Sequence, residues 1–283
     1  MIFREALGPV DVGITVNGQI INNIGYADDT VLIASTMEEL QVLIDNIQYV
    51  SLVYALSINT RKTKYMTVCK TPPANPSLLC NGQPLQKVSK YKYLGCWVDD
   101  TADHSLEIRC RIEQARNAFF KVKSLLCNKK LNIQIRVRLA RCYVFSILLY
   151  GVEAWILTES SCQKIEASEL WVYRRMLRIS WRDKIKNITV LRRIKKTPEV
   201  VYLVKKRKLE YIGHIMRNRK YDLLQFIIQG KIQGKQSVGR RRTSWLKNLR
   251  QRFGKSTRSL FRAAASKIQV DLMIADLQKK MAL

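Results

Sequence analysis

The stretch GYADDTVLIA, residues 25–34, places two adjacent carboxylates, Asp28 and Asp29, between two apolar segments of β-type residues. Short apolar runs of this kind, interrupted by a polar pair, predict a β-hairpin with the acids at its turn. An Asp-Asp pair has two interpretations, a plain turn in an unrelated basic protein or part of a divalent-metal site. The second is chemically reasonable because carboxylate oxygens are preferred ligands of Mg²⁺.

Further segments follow this stretch in a recognisable order. They are LSINTRKT at residues 56–63, YKYLGC at 91–96, LYGVEAW at 149–155 and YRRML at 173–177. Together with GYADDTVLIA, these segments resemble the palm, the primer-grip hairpin and the region beyond the thumb in reverse transcriptases of non-LTR (LINE-type) retrotransposons. The resemblance covers nearly the whole chain, and its segments occur in the family's order.

The resemblance implies a role for each matching residue. Asp28 and Asp29 would bind the catalytic Mg²⁺ ions, and Lys62 would lie near the incoming nucleotide and help to neutralise or protonate the departing pyrophosphate. The implied primer-binding residues are Tyr26, Tyr93, Leu94 and Gly95. The implied activity is RNA-directed DNA polymerisation, with an RNA template and a DNA primer or target DNA as partners.

The resemblance also implies that the polymerase site is incomplete. Two-metal phosphoryl transfer uses cations about 3.5–4 Å apart that are held by several carboxylates. In the family the bridging acid comes from an earlier palm strand, whereas only Glu5 and Asp11 supply acids before Tyr26, and neither stands on a matching motif. We therefore expect the C-terminal part of such an enzyme, truncated before the first palm aspartate and inactive alone. The missing palm and fingers would have to come from another chain.

The charge distribution predicts a nucleic-acid partner independently of the motifs. The 283 residues contain 50 Lys and Arg against 22 Asp and Glu, a net charge of +28. Residues 1–60 carry −6, and residues 61–283 carry +34. Such a surface binds phosphate backbones by releasing counterions. Because charge alone does not identify the partner, a second function stays open: a non-catalytic, basic nucleic-acid-binding remnant or domesticated protein.

Periodicity predicts an α+β fold that begins with a partial palm. Asn-Gly pairs at residues 17–18 and 81–82 favour two hairpin turns. Thr36 begins a helix with a capping box to Glu39, and the apolar face of that helix would back an antiparallel sheet. The segment at residues 93–98 would close this sheet.

The rest of the chain is predicted to be helical and to consist of two parts. Long apolar periodicities at residues 105–127 and 133–150 predict helices. We assign residues 1–100 to a truncated palm, 101–155 to a thumb-like helical region and 156–283 to a basic helical C-terminal region.

Basic side chains in the helical regions are candidates for phosphate contacts, which position nucleic acid without reading its sequence. The alternative is a solvated helix face. The thumb-like candidates are Arg109, Arg111, Arg116, Lys121 and Lys123. A second group consists of Arg240, Arg241 and Arg242, in a loop that leads to a helix which Thr243 could cap. The run of bases at residues 205–208 is predicted to be a solvated face.

Three tryptophans offer a second kind of contact, because Trp155, Trp171 and Trp181 could stack on unpaired bases. Trp171 has helical spacing to apolar neighbours, so we favour core packing for it. Seven cysteines without a CxxC pair predict buried free thiols rather than a zinc site. No signal-peptide pattern and no uncharged run of about 18 residues is visible. We expect an intracellular protein of the nucleus or cytoplasm, neither secreted nor in a membrane.

Overall fold

The computed structural model describes residues 2–69, 77–234 and 244–282. The chain forms two compact units. Unit 1 contains Met1–Asp103 with Leu223–Arg240, and unit 2 contains His104–Asp222 with Arg241–Leu283. The residues on both sides of position 155 belong to unit 2.

Unit 1 combines short β-hairpins with a few helices. Its strands are Ile14–Val16, Gln19–Ile21, Asn23–Tyr26, Asp29–Leu32, Lys64–Tyr65, Leu79–Cys80, Gln83–Pro84, Gln86–Lys87, Lys90–Tyr93 and Cys96–Asp99. Its helices are Ile2–Leu7, Met37–Val53 and Asp222–Gln229, the last of which begins at the unit boundary.

The predicted continuous antiparallel sheet is wrong for the part of the chain that the structure describes. The named strands form five separate two-stranded ladders, and one of these, between Lys64–Tyr65 and Gln86–Lys87, is parallel. The other four ladders join strands that are neighbours in sequence. Residues 93–98 therefore do not close a sheet, and they form their own hairpin through a turn at Leu94 and Gly95. Strands of two to four residues offer few backbone groups to further partners, and within the described residues one isolated bridge, between Val16 and Ile232, lies outside the ladders.

Both Asn-Gly turns are confirmed. Asn17 and Gly18 have φ angles of 48° and 81°, and Asn81 and Gly82 have φ angles of 51° and 70°. These positive values are those of a type I′ turn, whose twist matches that of the paired strands. Asparagine and glycine tolerate this left-handed conformation better than other residues, which explains why the sequence located the hairpins correctly.

The helix Met37–Val53 confirms the predicted N-cap but not the full capping box. Thr36 Oγ1 accepts a hydrogen bond from the backbone N–H of Glu39 at 3.2 Å. The carboxylate of Glu39 accepts from the N–H of Ser35, at 2.8 Å, instead of from that of Thr36. The buried face of the helix is formed by Leu43, Ile44, Ile47 and Val50. This face packs into two small apolar clusters of unit 1.

The regular secondary structure of unit 2 is helical in its described residues. Its α-helices are Ser105–Lys121, Lys123–Leu126, Ile133–Ala140, Ser146–Leu148, Glu159–Leu177, Asn187–Ile194, Val200–Arg217, Trp245–Phe253, Thr257–Ala265 and Lys267–Ala282. A π-helical turn, Arg141–Phe145, interrupts the predicted helix at 133–150, and 3-10 turns occur at Val152–Ala154, Trp181–Asp183 and Arg219–Tyr221. The chain is thus a mixed α and β protein, consistent with the predicted class. Within the described ranges, no helix combines the length and the apolar composition needed to cross a membrane.

Two apolar clusters stabilise unit 2. The larger one extends along the chain from Ile108 to Val204 and encloses the fully buried Phe119, Trp155 and Tyr173. The smaller one joins Leu209 and Ile212 to apolar residues of the last three helices. Of the seven cysteines, Cys80, Cys127 and Cys162 are buried, so the prediction of buried thiols holds for these three alone.

Candidate functional site

The two aspartates lie at the end of a hairpin, Asp28 in the predicted turn and Asp29 at the start of the second strand. Strands Asn23–Tyr26 and Asp29–Leu32 pair antiparallel with Tyr26 opposite Asp29, which leaves Ala27 and Asp28 as the two turn residues. Ala27 has a φ angle of 53°, a left-handed value at the first turn position. Both aspartates are exposed to solvent. The hairpin therefore presents two adjacent carboxylates at its tip.

These two carboxylates alone do not fit a two-metal polymerase site. Such a site needs several acidic ligands that bridge two cations. Among the described residues, no group of three or more His, Cys, Asp or Glu side chains is placed to hold a metal ion. Asp28 and Asp29 could contribute ligands to Mg²⁺ only together with groups from elsewhere.

One predicted primer-binding residue contacts the aspartate hairpin. The hydroxyl of Tyr93 donates to the backbone oxygen of Ile24 at 3.3 Å and lies 3.5 Å from that of Asp29. Leu94 and Gly95 form the turn that follows Tyr93, with φ angles of 46° and 83°. The structure thus brings together the two hairpins that the family resemblance associates with the primer end.

The other predicted residues of this site are exposed. Tyr26 has 67% of its surface accessible. Lys62 lies in an exposed turn, where its backbone N–H donates to the backbone oxygen and to Oδ1 of Asn59, both at 3.1 Å. In the described part of the chain, the Lys62 side chain forms no hydrogen bond or ion pair with Asp28 or Asp29. Their common role stays a prediction.

The thumb-like group of basic residues divides into exposed and buried members. Arg109, Lys121 and Lys123 are exposed. Arg116 is half-buried, 3.7 Å from the carboxylate of Glu113, with its guanidinium over the Trp171 ring. These four residues remain available as phosphate-binding candidates.

Arg111 corrects the prediction for this group. It is only 5% exposed, its Nε donates to Glu107 Oε1 at 2.6 Å, and its guanidinium lies 4.5 Å from the centre of the Tyr150 ring. The ion pair joins residues four positions apart on one helix, both of which turn into the protein. Arg111 is therefore a structural residue and not a phosphate contact.

The second predicted basic group lies outside the described residues. Arg240, Arg241 and Arg242 are in the range 235–243, and so is Thr243. The following helix, Trp245–Phe253, begins at Ser244, whose side chain accepts from the N–H of Lys247. Ser244 is therefore the N-cap, and the phosphate-binding role of the three arginines stays a prediction.

The three tryptophans have different environments. Trp155 is 1% exposed, so the prediction that it could stack on bases is wrong. Trp171 packs edge-on against Phe119, with ring centres 5.2 Å apart, which confirms the core packing favoured for it. Trp181 is 84% exposed. Only the last of the three can offer a ring face to a ligand.

Sequence reasoning missed a buried carboxylate, Glu169, in the helix Glu159–Leu177. Its oxygens accept from the N–H of Glu199 at 2.9 and 3.1 Å, from that of Val200 at 3.0 Å and from the Tyr173 hydroxyl at 3.0 Å. Burial raises the pKa of Glu169 to about 7, although these hydrogen bonds lower it. Glu169 thus caps the start of the helix Val200–Arg217 from a neighbouring helix. Its spacing of four from the buried Ile165 and three from Val172 was the available sequence signal.

Sequence reasoning also assigned Lys208 to a solvated face, and this is wrong. The side chain is 1% exposed, its Nζ donates to the backbone oxygen of Trp155, and it lies 5.0 Å from the centre of the Trp245 ring. Burial lowers the pKa of Lys208 to about 7. Lys208 lies four positions from both Val204 and Ile212, on the apolar face of its helix, and that spacing could have revealed its burial.

Comparison with known proteins gives one informative relative. No protein-family model matches the chain. The chain is 29% identical over 247 residues to an uncharacterized transposon-derived protein of Caenorhabditis elegans, and the match covers 83% of this chain and 86% of that protein. This similarity supports a transposon-related origin.

Proposed function

We propose that the chain descends from a LINE-type reverse transcriptase and acts as a nucleic-acid-binding protein that does not polymerise DNA by itself. The observation that carries this proposal is the basic surface of unit 2. Its exposed cations include Arg109, Lys121, Lys123, Arg175, Arg178, Arg182, Lys184, Lys186, Arg192, Arg193 and Lys195. Side chains of this kind bind phosphates of RNA or DNA with little sequence preference. RNA template and DNA primer or target DNA are the proposed partners, in the nucleus or the cytoplasm.

A second candidate function is polymerisation in an assembly with another chain. The contact of Tyr93 with the aspartate hairpin favours this candidate, because the family resemblance places a primer end beside the metal site. Asp28, Asp29 and Lys62 would then serve in catalysis and Tyr26, Tyr93, Leu94 and Gly95 in primer binding. Mg²⁺ would supply charge stabilisation for phosphoryl transfer, with further acidic ligands from the partner.

Primer extension with an RNA template and Mg²⁺ distinguishes the two candidates. We expect the purified chain to bind the template-primer but to extend it no further than a buffer control. Asp28→Ala should bind as well as the unchanged protein, because Asp28 is an exposed acid that contributes no phosphate contact. Extension by the unchanged chain that disappears in Asp28→Ala would contradict the proposal and favour the polymerase.

A further inference from the structure

An exposed tryptophan stands on the connection between two packed helices of unit 2. The helices are Glu159–Leu177 and Asn187–Ile194, and the connection contains the 3-10 turn Trp181–Asp183. Ile179 and Ile185, on either side of this turn, pack against the larger apolar cluster. Trp181 is 84% exposed, more than any other large apolar side chain among the described residues. The connection is therefore anchored at both ends while its largest apolar group faces solvent.

Hydrogen bonds hold the backbone beneath this tryptophan. The N–H of Ser180 donates to the carboxylate of Asp183 at 2.7 Å, and the hydroxyl of Ser180 accepts from the N–H of Arg182 at 3.3 Å. Arg174 donates to the backbone oxygen of Ile185 at 2.5 Å and to Oδ1 of Asn187 at 2.9 Å. A side chain on such a pre-organised turn loses little backbone freedom when it binds a ligand.

The segment that carries Trp181 is almost entirely positive in charge. Residues 174–196 contain ten Lys and Arg and a single acid, Asp183, which is engaged in the turn. The guanidinium of Arg182 lies 5.8 Å from the centre of the Trp181 ring. The exposed cations of this segment are Arg175, Arg178, Arg182, Lys184, Lys186, Arg192, Arg193 and Lys195.

Three of these cations occupy backbone positions that favour glycine. Arg178, Lys184 and Lys195 have φ angles of 57°, 47° and 58°, and each follows the last residue of a helix or turn. A side chain in this left-handed region is strained, and glycine is the usual residue there. A positive charge at a helix C-terminus offsets part of this strain through the helix dipole. The three side chains thus add positive charge at positions where glycine would be free of strain.

We propose that residues 178–196, here called the tryptophan turn, bind single-stranded nucleic acid. One unpaired base stacks on the open face of Trp181, and the surrounding cations contact the phosphates on either side. A single strand fits better than a duplex, because the bases of a duplex already cover each other's faces. The inference rests on the proposed nucleic-acid-binding function and locates one of its sites.

Binding of fluorescent oligonucleotides to the full chain tests the inference. We expect Trp181→Ala to bind a single strand of about 12 nucleotides roughly tenfold more weakly, because stacking on an aromatic ring contributes strongly per base. Trp181→Phe should retain most of the affinity for the single strand. Trp181→Ala should change the affinity for a duplex of equal length by less than about twofold. Tyr49→Ala is the matched control, since Tyr49 is 72% exposed in unit 1, and it should leave both affinities unchanged.

The outcomes separate this inference from the function on which it rests. If Trp181→Ala binds the single strand as tightly as the unchanged protein does, the inference is overturned while nucleic-acid binding stands. An equal loss for the single strand and the duplex also overturns it, because stacking on an unpaired base would not explain that result. No binding of either ligand by the unchanged protein overturns both.

A second variant tests the strained cations. We expect Lys184→Gly to raise the melting temperature by a few degrees, about what relief of one left-handed residue gives in a chain of this size. The same change should weaken single-strand binding roughly twofold to threefold, because one phosphate contact is lost. Lys184→Arg keeps the charge and should keep the affinity. A more stable Lys184→Gly protein with undiminished affinity would show that Lys184 makes no phosphate contact and would count against the proposal.

Discussion

Replacing Lys208 with methionine is expected to raise the free energy of unfolding at pH 7 by about 2 kcal/mol. Lys208 is fully buried, and burial lowers the pKa of its amine from 10.5 to about 7. Folding therefore has to remove a strongly hydrated ammonium group from water or release its proton to the solvent. Methionine has a similar length and no charge, so it avoids this cost. It also leaves the Trp155 backbone oxygen without its donor, which offsets part of the gain.

The pH dependence of the free energy of unfolding is a more specific test of the buried Lys208 amine. Between pH 7 and pH 10.5 the unfolded chain binds a proton at Lys208 that the folded chain has released. The free energy of unfolding should therefore rise with pH across this window, by roughly 5 kcal/mol from this group, and stay constant below it. Nearby Arg252 lowers the pKa further, and Cys162 raises it slightly. In Lys208→Met this contribution should disappear.

Urea unfolding at several pH values measures both effects. Lys206→Met is the matched control, because Lys206 lies on the same helix with a partly exposed side chain 3.8 Å from Glu210. We expect the control to change stability by less than about 0.5 kcal/mol. A Lys208→Met protein that is less stable at pH 7, or that keeps the full rise above pH 7, would contradict the burial of a proton-releasing amine.

Replacing Glu169 with alanine is expected to lower the free energy of unfolding by about 3 kcal/mol. Its carboxylate accepts from the N–H groups of Glu199 and Val200 at the start of the helix Val200–Arg217 and from the Tyr173 hydroxyl. Alanine would leave these donors without their acceptor in a site that water does not reach. The change is measured by urea unfolding at pH 5, with circular dichroism as the signal for the folded state.

The pH dependence of Glu169 has the opposite sign to that of Lys208. Burial raises the pKa of Glu169 from 4.5 to about 7, so the folded chain holds a proton that the unfolded chain has lost between these values. Stability should fall by roughly 3 kcal/mol as pH rises through that window. Glu169→Gln should abolish this slope, whereas Glu166→Ala, a change at a half-buried residue of the same helix, should preserve it. If stability still falls with pH in Glu169→Gln, groups other than Glu169 cause the slope and this prediction is wrong.

Sequence signals that act over a few residues predicted the local structure correctly. The turns at Asn17 and Asn81, the N-cap at Thr36 and the hairpin that carries Asp28 all depend on residues within four positions of one another. The continuity of a sheet is not set by such local signals, because it depends on which strands that are distant in sequence pair with each other. The expected single sheet was therefore wrong although its hairpins were right.

The candidate site also combines features that short motifs predict with features that depend on tertiary contacts. The sequence identified the aspartate pair and the basic character of unit 2, because both are properties of composition and short motifs. The burial of Arg111 and Lys208 depends on tertiary partners, Tyr150 for the first and Trp155 with Trp245 for the second. The exposure of Trp181 likewise follows from the anchoring of its neighbours in the core. A run of bases or a lone tryptophan carries no such information by itself.

The measurement that tests nucleic-acid binding most directly is the dissociation constant of the full chain for a template-primer duplex at increasing salt concentration. We expect the logarithm of the association constant to fall linearly with the logarithm of salt, with a slope of about −4 or steeper, as five or more phosphate contacts would give. Absence of binding at about 50 mM salt, or a slope near zero, would contradict a phosphate-binding surface.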